Sequence, residues 1–288
     1  MQLRNLLIRL TLVRGMPYRA QTRILQHCVH THAVVTDGGL LGTLGQLTAQ
    51  QLVDFRHDWQ SVAFEQRVQR HAAVDVLTIV DPDYPSALLE SYHPPLVLFI
   101  KGQRRLLRGR KLAVVGARQS TSYGARCVSR LLTPLVPEKL TIVSGLAAGI
   151  DGWSHQTALN CGLPTIAVIG TGLDAYYPRE NATLQRRVSQ VGLLISEYPL
   201  GTGPARYRFP ERNRIIAGLC QTLIVIEARE RSGSLITANL ALQNNRNVLA
   251  VPGPIDAPLS VGCNQLIAAG AKPVLNSRHI IEEFLPII

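Results

Sequence analysis

Acidic residues, lysines and paired cysteines are scarce in this chain. Its 288 residues carry 30 Lys and Arg against 19 Asp and Glu, a formal charge of +11 at pH 7. Only Lys101, Lys111, Lys139 and Lys272 are lysines; every other basic residue is arginine. The positive surplus favours an anionic partner without saying which one. Arginine binds phosphate through paired hydrogen bonds and stacks on bases, so the bias suits nucleic acid, although a genomic codon bias gives the same composition.

The five cysteines, Cys28, Cys127, Cys161, Cys220 and Cys263, are scattered and lack CxxC spacing. That fits a reduced, cytoplasmic setting, with most of them packed as small apolar residues. No run of eighteen apolar residues occurs, so no membrane span is expected. Leu6–Val13 is interrupted by Arg9 and has no small-residue cleavage site, so it is not read as a signal peptide. His27, Cys28, His30 and His32 superficially suggest zinc but lack a distant second ligand pair, and no metal is expected. GxxxxGK[ST] and GxSxG are both missing, so no catalytic residue and no cofactor is assigned and the chain is not read as an enzyme.

What the chain does have is a recurring unit: an apolar run that ends in a loop of Gly, Ser, Arg or Asp. Leu112–Val115 leads into Gly116-Ala117-Arg118, and Leu140–Val143 into Ser144 to Asp151. Thr165–Ile169 leads into Gly170-Thr171-Gly172, Leu223–Ile226 into Glu227 to Ser234, and Val248–Val251 into Pro252-Gly253. Such runs, separated by helix-length segments, read as buried parallel strands. Glycine at a strand end admits a ligand to the backbone, and the next helix offers free N–H groups to an anion.

Residues 1–73 read as a small all-helical domain, with Leu3, Leu6, Leu7, Leu10 and Val13, then Ile24, Leu25 and Val29, at helical spacing. Leu10–Leu25 resembles a helix-hairpin-helix unit, with Pro17 in place of the second turn glycine; a plain helical bundle accounts for it equally well. Residues 74–288 read as an α/β domain, an extended Rossmann-like parallel sheet with helices on both faces. Strands are expected at Val76–Val80 and Leu96–Ile100 and near 112–115, 140–143, 165–169, 193–196, 223–226, 248–251 and 273–275. Helices are expected between the later ones, near 123–132, 152–161, 180–190, 211–219, 234–244, 264–269 and 278–284. The basic run Lys101–Lys111 reads as a solvated connector or a DNA contact.

The most specific text is Phe209-Pro210-Glu211-Arg212-Asn213-Arg214-Ile215-Ile216-Ala217-Gly218-Leu219, followed by Arg231-Ser232-Gly233-Ser234-Leu235-Ile236-Thr237-Ala238. The spacing predicts Arg212, Asn213 and Arg214 at a helix start, where arginine opposes the dipole unless an anion is bound. Asp151 is expected to cap a helix and bond the glycine loop, with His155 packed; an acid/base pair is the alternative. Glu227 ends a strand, where a Rossmann enzyme holds a ribose hydroxyl, but no GxGxxG follows the first strand. Tyr123, Tyr176, Tyr177 and Phe209 are core or base-stacking residues.

With these blocks the chain resembles the DprA/Smf family, DNA-processing proteins of natural transformation. The resemblance runs in order through Val114–Arg118, Ser122-Tyr123-Gly124, Ser144–Asp151, Ser154-His155, Thr165–Gly170, Leu173-Asp174, Tyr177-Pro178, Asn181 and Ser196-Glu197-Tyr198. It continues through the signature above, Ala250–Gly253, Gly262-Cys263-Asn264, Leu266-Ile267 and Gly270-Ala271. The N-terminal helices are similar to that family's sterile-alpha-motif-like (SAM-like) domain, and no winged-helix tail of the kind some members carry is expected after residue 288. The resemblance implies a homodimer that binds and protects single-stranded DNA and helps load RecA recombinase. It assigns DNA contact to Arg118, Arg179, Arg212 and Arg214, and dimerisation to the segment of Leu266 and Ile267. Ser122, Gly145, Asn181, Phe209, Asn213, Ser232, Gly233 and Ser234 complete the expected DNA-binding set. Ala148 departs from the family pattern, where a basic residue often precedes the second glycine. The rival is a nucleoside-monophosphate phosphoribohydrolase on a similar fold, whose Pro-Gly-Gly-x-Gly-Thr does not match Pro252-Gly253-Pro254-Ile255.

Overall fold

The computed structural model describes residues 1–285, which form two compact units. The smaller holds Met1–Tyr84 and Pro95–Phe99; the larger holds Pro85–Pro94 and the chain from Ile100 onward.

The smaller unit contains α1 (Leu3–Leu12), α2 (Tyr18–Thr31), α3 (Gly38–Leu44), α4 (Ala49–Trp59), α5 (Val62–His71), β1 (Asp75–Thr78) and the first half of β2 (Val97–Gly102). Side-chain caps start three of the helices. Asp37 accepts from the Leu40 amide at 2.8 Å, Ser61 from Phe64 at 3.0 Å, and Thr48 forms a reciprocal capping box with Gln51. Gly15 adopts φ +76°, and a Cβ there would stand 2.7 Å from the Gln51 carbonyl, so glycine lets the α1–α2 turn close on α4. Leu6, Leu7, Leu10, Ile24, Leu41, Phe55 and Phe64 are fully buried. In α2 the buried stripe runs Ala20, Ile24, Cys28, leaving Val29 54% exposed. Leu25 and Val29 therefore do not form the core face that their spacing suggested; the small residues Ala20 and Cys28 do.

The larger unit begins with α6 (Ser86–Leu89) and then alternates: β3 (Lys111–Val115), α7 (Ser122–Leu132), β4 (Thr141–Ser144), α8 (Ile150–Cys161), β5 (Thr165–Ile169), α9 (Ala182–Val191) and β6 (Leu193–Ser196). It continues with α10 (Arg208–Leu219), β7 (Thr222–Val225), α11 (Gly233–Gln243), β8 (Asn247–Ala250), α12 (Val261–Ala268), β9 (Lys272–Pro273) and α13 (Arg278–Ile281). Its strands lie in the order β6-β5-β4-β3-β7-β8-β9, and each pairing from β6 to β9 is parallel. β3 to β7 are buried along their whole lengths, as the uninterrupted apolar runs require for strands covered on both faces. Leu112, Val114 and Ile142 pack with Val128 and Leu131 of α7 and Ala158 of α8, while α10 and α11 pack on each other and on the sheet.

The connections after β3 and β7, which are neighbours, run in opposite directions. β3 leads through α7 to β4, and β7 leads through α11 to β8. Such a switch point leaves a crevice outside the carboxyl ends of the two strands. The basic run Arg104–Leu107 is a short 3-10 turn; Arg110 donates to the Glu138 carbonyl at 2.8 Å, and Lys111 is buried with Nζ donating to the Gly109 carbonyl at 2.8 Å.

Candidate nucleic-acid interface

The crevice is a cleft of about 460 Å³. One wall is the β3 loop, Gly116 to Gln119. The other is the β7 loop and the start of α11, with Arg229, Ser232, Gly233 and Ser234, and α10 supplies Phe209, Arg212 and Asn213. A smaller cavity of about 90 Å³ adjoins it, with Gly145, Ala147, Ala148, Gly170, Tyr177 and Pro178. Arg118, Ala147, Phe209 and Arg212 line both.

Arg118 is exposed and its guanidinium carbon lies 5.1 Å from the centre of the Phe209 ring. Phe209 in turn stacks on Tyr177 with centroids 5.2 Å apart. The arrangement offers a base an aromatic or guanidinium face and a phosphate a charge. α11 starts at Gly233, so its first amides have no partner within the helix. Ser232, just before it, makes no capping bond, and its buried Oγ lacks a partner among the described residues. Nothing lies within 4 Å of where a Cβ would stand at Gly233.

Beneath this surface the polar groups are spent on holding the loops. Asp151, in the first turn of α8, accepts from the Gly145 amide at 3.1 Å. Burial pushes its carboxyl up, and the Arg212 charge opposes that. Burial drives the Arg212 guanidinium down to about 10, Asp151 pulling it back and Arg118 adding to the fall, so it stays charged at neutral pH. Arg212 is 4% exposed and donates to the Val168 carbonyl; a Cβ on Gly145 would lie 2.0 Å from its Nη1. Glycine there makes room for the guanidinium rather than for a ligand. Glu227 accepts from the Thr121 amide at 2.8 Å and from its hydroxyl, and Thr121 caps α7. The carboxylate at that strand end is therefore occupied by the β3 loop. His155 is buried and held neutral, driven down to about 3 first by burial and then by Arg212; its Nδ1 lies 2.7 Å from the Thr165 hydroxyl.

Of the residues singled out from sequence, Arg118, Gly145, Phe209, Arg212, Asn213, Ser232, Gly233 and Ser234 come together around the two cavities. Arg179 is exposed next to Pro178. Asn181 donates to the Leu146 and Ala147 carbonyls, both at 3.0 Å, and so braces the glycine loop. Ser122 is exposed and accepts from Arg126 at 3.2 Å. Arg214 pairs with Glu197 and donates to the His93 carbonyl. Leu266 and Ile267 are half-buried on α12. α10 starts at Arg208, four residues before Arg212, so the Arg-Asn-Arg triplet does not stand at the helix start its spacing suggested. The dipole argument gives way to an internal one: Arg212 and Arg214 are held by a carbonyl and a carboxylate. Sequence reasoning did not single out Arg229 or the Glu197–Arg214 pair. Arg229 follows the β7 run by sequence, which is a legible signal; the pair spans two elements and is not.

The profile of the DNA recombination-mediator protein A family matches residues 75–285. The chain is 49% identical over 207 residues to the DNA processing protein DprA of Streptococcus pneumoniae, covering 72% of this chain and 73% of that protein. The crystal structure of the S. pneumoniae protein superposes with a TM-score of 0.91 at 37% identity, covering 99% of both chains. DNA processing protein A of Helicobacter pylori, from a study of its single-stranded DNA binding mode, matches with a TM-score of 0.66 at 29% identity, covering 74% of this chain and 96% of that one.

Proposed function

The chain belongs to the DNA recombination-mediator protein A family, and on that premise we propose that it binds single-stranded DNA along the strand-end cleft. In this reading it protects incoming single strands during natural transformation and helps load RecA recombinase onto them, as a homodimer and without catalysing a reaction. The backbone passes Arg118, Arg179, Arg229 and the start of α11, and bases stack on Phe209 and Tyr177. Leu266 and Ile267 on α12 are the proposed dimer contact.

One observation carries the reading. Asp151 is the one carboxylate among the described residues lining the two cavities, and it is bound to the Gly145 amide, whereas Arg118 and Arg229 stand exposed. The positive rim is left uncompensated, as an anionic strand requires. The single-stranded DNA binding of the H. pylori relative supports the same assignment.

Fluorescence anisotropy of labelled single-stranded and duplex DNA of equal length, over a salt series, tests it. The expected result is tight binding to the single strand, little preference for sequence, and a steep fall with salt as counterions are released. Equal affinity for duplex, or release of free base from nucleoside monophosphates, overturns it in favour of a nucleotide enzyme.

A further inference from the structure

Trp153, the fourth residue of α8, is 48% exposed, and its neighbours on the helix show why. Asp151 turns inward to the Gly145 amide, and His155 is buried against Thr165. The indole therefore lies on the outer side of α8, where it lines a groove of about 350 Å³ with Ala148, Gln156, Glu180 and Arg187. Arg187 is exposed. Asn181 fixes the floor through the Leu146 and Ala147 carbonyls, and a Cβ on Gly152 would come within 3.2 Å of its Nδ2. The groove is not isolated: Ala148 lines both it and the smaller cavity beside Arg118 and Phe209.

We propose that this groove is a second subsite for the same single strand, with one base stacked on Trp153 and a phosphate on Arg187. The proposal rests on the reading of the cleft as a single-stranded DNA site. The strand leaves the cleft across the glycine loop at Ala148, whose methyl side chain leaves the crossing open. Trp153 leaves about half of a large apolar side chain in water, and stacking a base on it removes that face from water. Glu180 fits a base rather than a phosphate on its side of the groove, since a carboxylate accepts from the exocyclic amino group of cytosine.

Trp153 reports on its own occupancy. Tryptophan emission of the full chain is followed while oligonucleotides of about four and about sixteen nucleotides are added, with anisotropy measured in parallel. The longer strand is expected to quench emission and the shorter to leave it unchanged, and the quenching is absent in Trp153→Phe, which keeps a stacking ring. Trp153→Ala weakens the longer strand by about 5- to 100-fold and leaves the shorter one unaffected. Arg187→Ala lowers the salt slope for the longer strand by about one ion. If the longer strand binds by anisotropy with emission and the Trp153→Ala affinity unchanged, the subsite is refuted while the cleft reading stands. Equal quenching by both lengths also refutes a separate subsite. No anisotropy change with either strand overturns both readings.

Discussion

In the smaller, mainly helical unit Arg4 lies 3.0 Å from Asp81, Arg9 pairs with Glu65, and Arg67 pairs with Asp58, which is buried. At the strand ends of the larger unit Arg118, Arg179, Arg229 and Arg231 are exposed, and among the described residues none faces a carboxylate at ion-pair distance. The inner carboxylates of the rim are engaged elsewhere, Asp151 by Gly145, Glu227 by Thr121 and Glu197 by Arg214, and the exposed Asp174 accepts from the Gly201 amide at 2.8 Å. Glu180 and Glu230 remain outside, exposed. The same side chain thus stitches one unit together and charges the surface of the other. What separates the two uses is where the nearest free carboxylate lies, which composition does not reveal.

The comparison breaks most sharply at Arg212, an arginine of the rim that behaves like those of the helical unit. Replacing it with Met leaves the Asp151 carboxylate buried without its opposing charge. It also leaves the Val168 carbonyl without its donor, and an unsatisfied buried group costs on the order of 1–3 kcal/mol. Chemical denaturation of Arg212→Met is expected to show a loss of that size; a loss under about 1 kcal/mol would mean that Asp151 is already neutral in the folded protein.

Acid stresses the layer beneath the rim without touching its exposed arginines. The His155 imidazole is held at about 3 against an ordinary value of 6.5. A base with a lowered folded pKa favours folding in its neutral form. Its contribution is complete above about 6.5 and is lost as the pH falls towards 3, by roughly 4 kcal/mol. Asp151 and Glu197, both raised by burial, act with the opposite sign, so the informative quantity is a difference. Unfolding free energies of the wild type and His155→Leu, measured between pH 3 and 7, are expected to converge as pH falls. Parallel curves would show that the imidazole is solvated.

Exchanging rim charges is expected to change binding and not folding. Arg118→Glu with Arg179→Glu is expected to keep the melting temperature within a few degrees, since neither side chain has an ion-pair partner among the described residues, and to weaken single-stranded DNA binding by about a hundredfold or more. The double alanine variant should lower the salt slope by about two ions, one for each phosphate contact. Unchanged affinity in the folded double reversal removes both residues from the interface.

Strands β3 to β8 and most of the helices of the larger unit were legible because each of these strands is built on an apolar run, whereas β9, expected near 273–275, is Lys272–Pro273 and is not buried. Thr165–Ile169 and Leu193–Ser196 fall on the residues expected for them. The bond from Gly145 to Asp151 was also legible, since it closes over six residues, but Asp151 does not cap α8 as expected: it lies inside the first turn, and Gly149 stands at the N-cap. Less legible was anything decided by contacts distant in sequence. Arg214 and Glu197 are 17 residues apart, Thr121 and Glu227 are 106 apart, and no periodicity links them. α10 starts three residues before the expected 211, because proline fits the first turn of a helix, where its missing N–H has no acceptor to lose. The inward turn of Ala20 and Cys28 in α2 was hidden for a simpler reason: small residues carry little weight in an apolar pattern.

The smallest effect belongs to the helical unit and sharpens the contrast. The Arg9 guanidinium lies 5.1 Å from the Trp59 ring centre and 4.7 Å from that of Phe64, and it pairs with Glu65, whose side chain is 51% exposed. The pair holds the Glu65 carboxyl below its ordinary value, chiefly through the hydrogen bond from Arg9. An exposed pair is screened by water, so its worth is about 0–1 kcal/mol, with the ring contacts adding a similar amount. Arg9→Met keeps the length of the side chain, removes its charge and lowers the net charge by one, as does Arg118→Met at the rim. If bulk charge governed DNA affinity, the Arg9→Met and Arg118→Met variants would weaken binding alike. The expected outcome is a melting temperature lowered by a few degrees and unchanged single-stranded DNA affinity for Arg9→Met, against intact stability and a binding loss of about tenfold for Arg118→Met. Equal losses of affinity would show that the partner reads the charge of the whole chain rather than the place of one arginine beside Phe209.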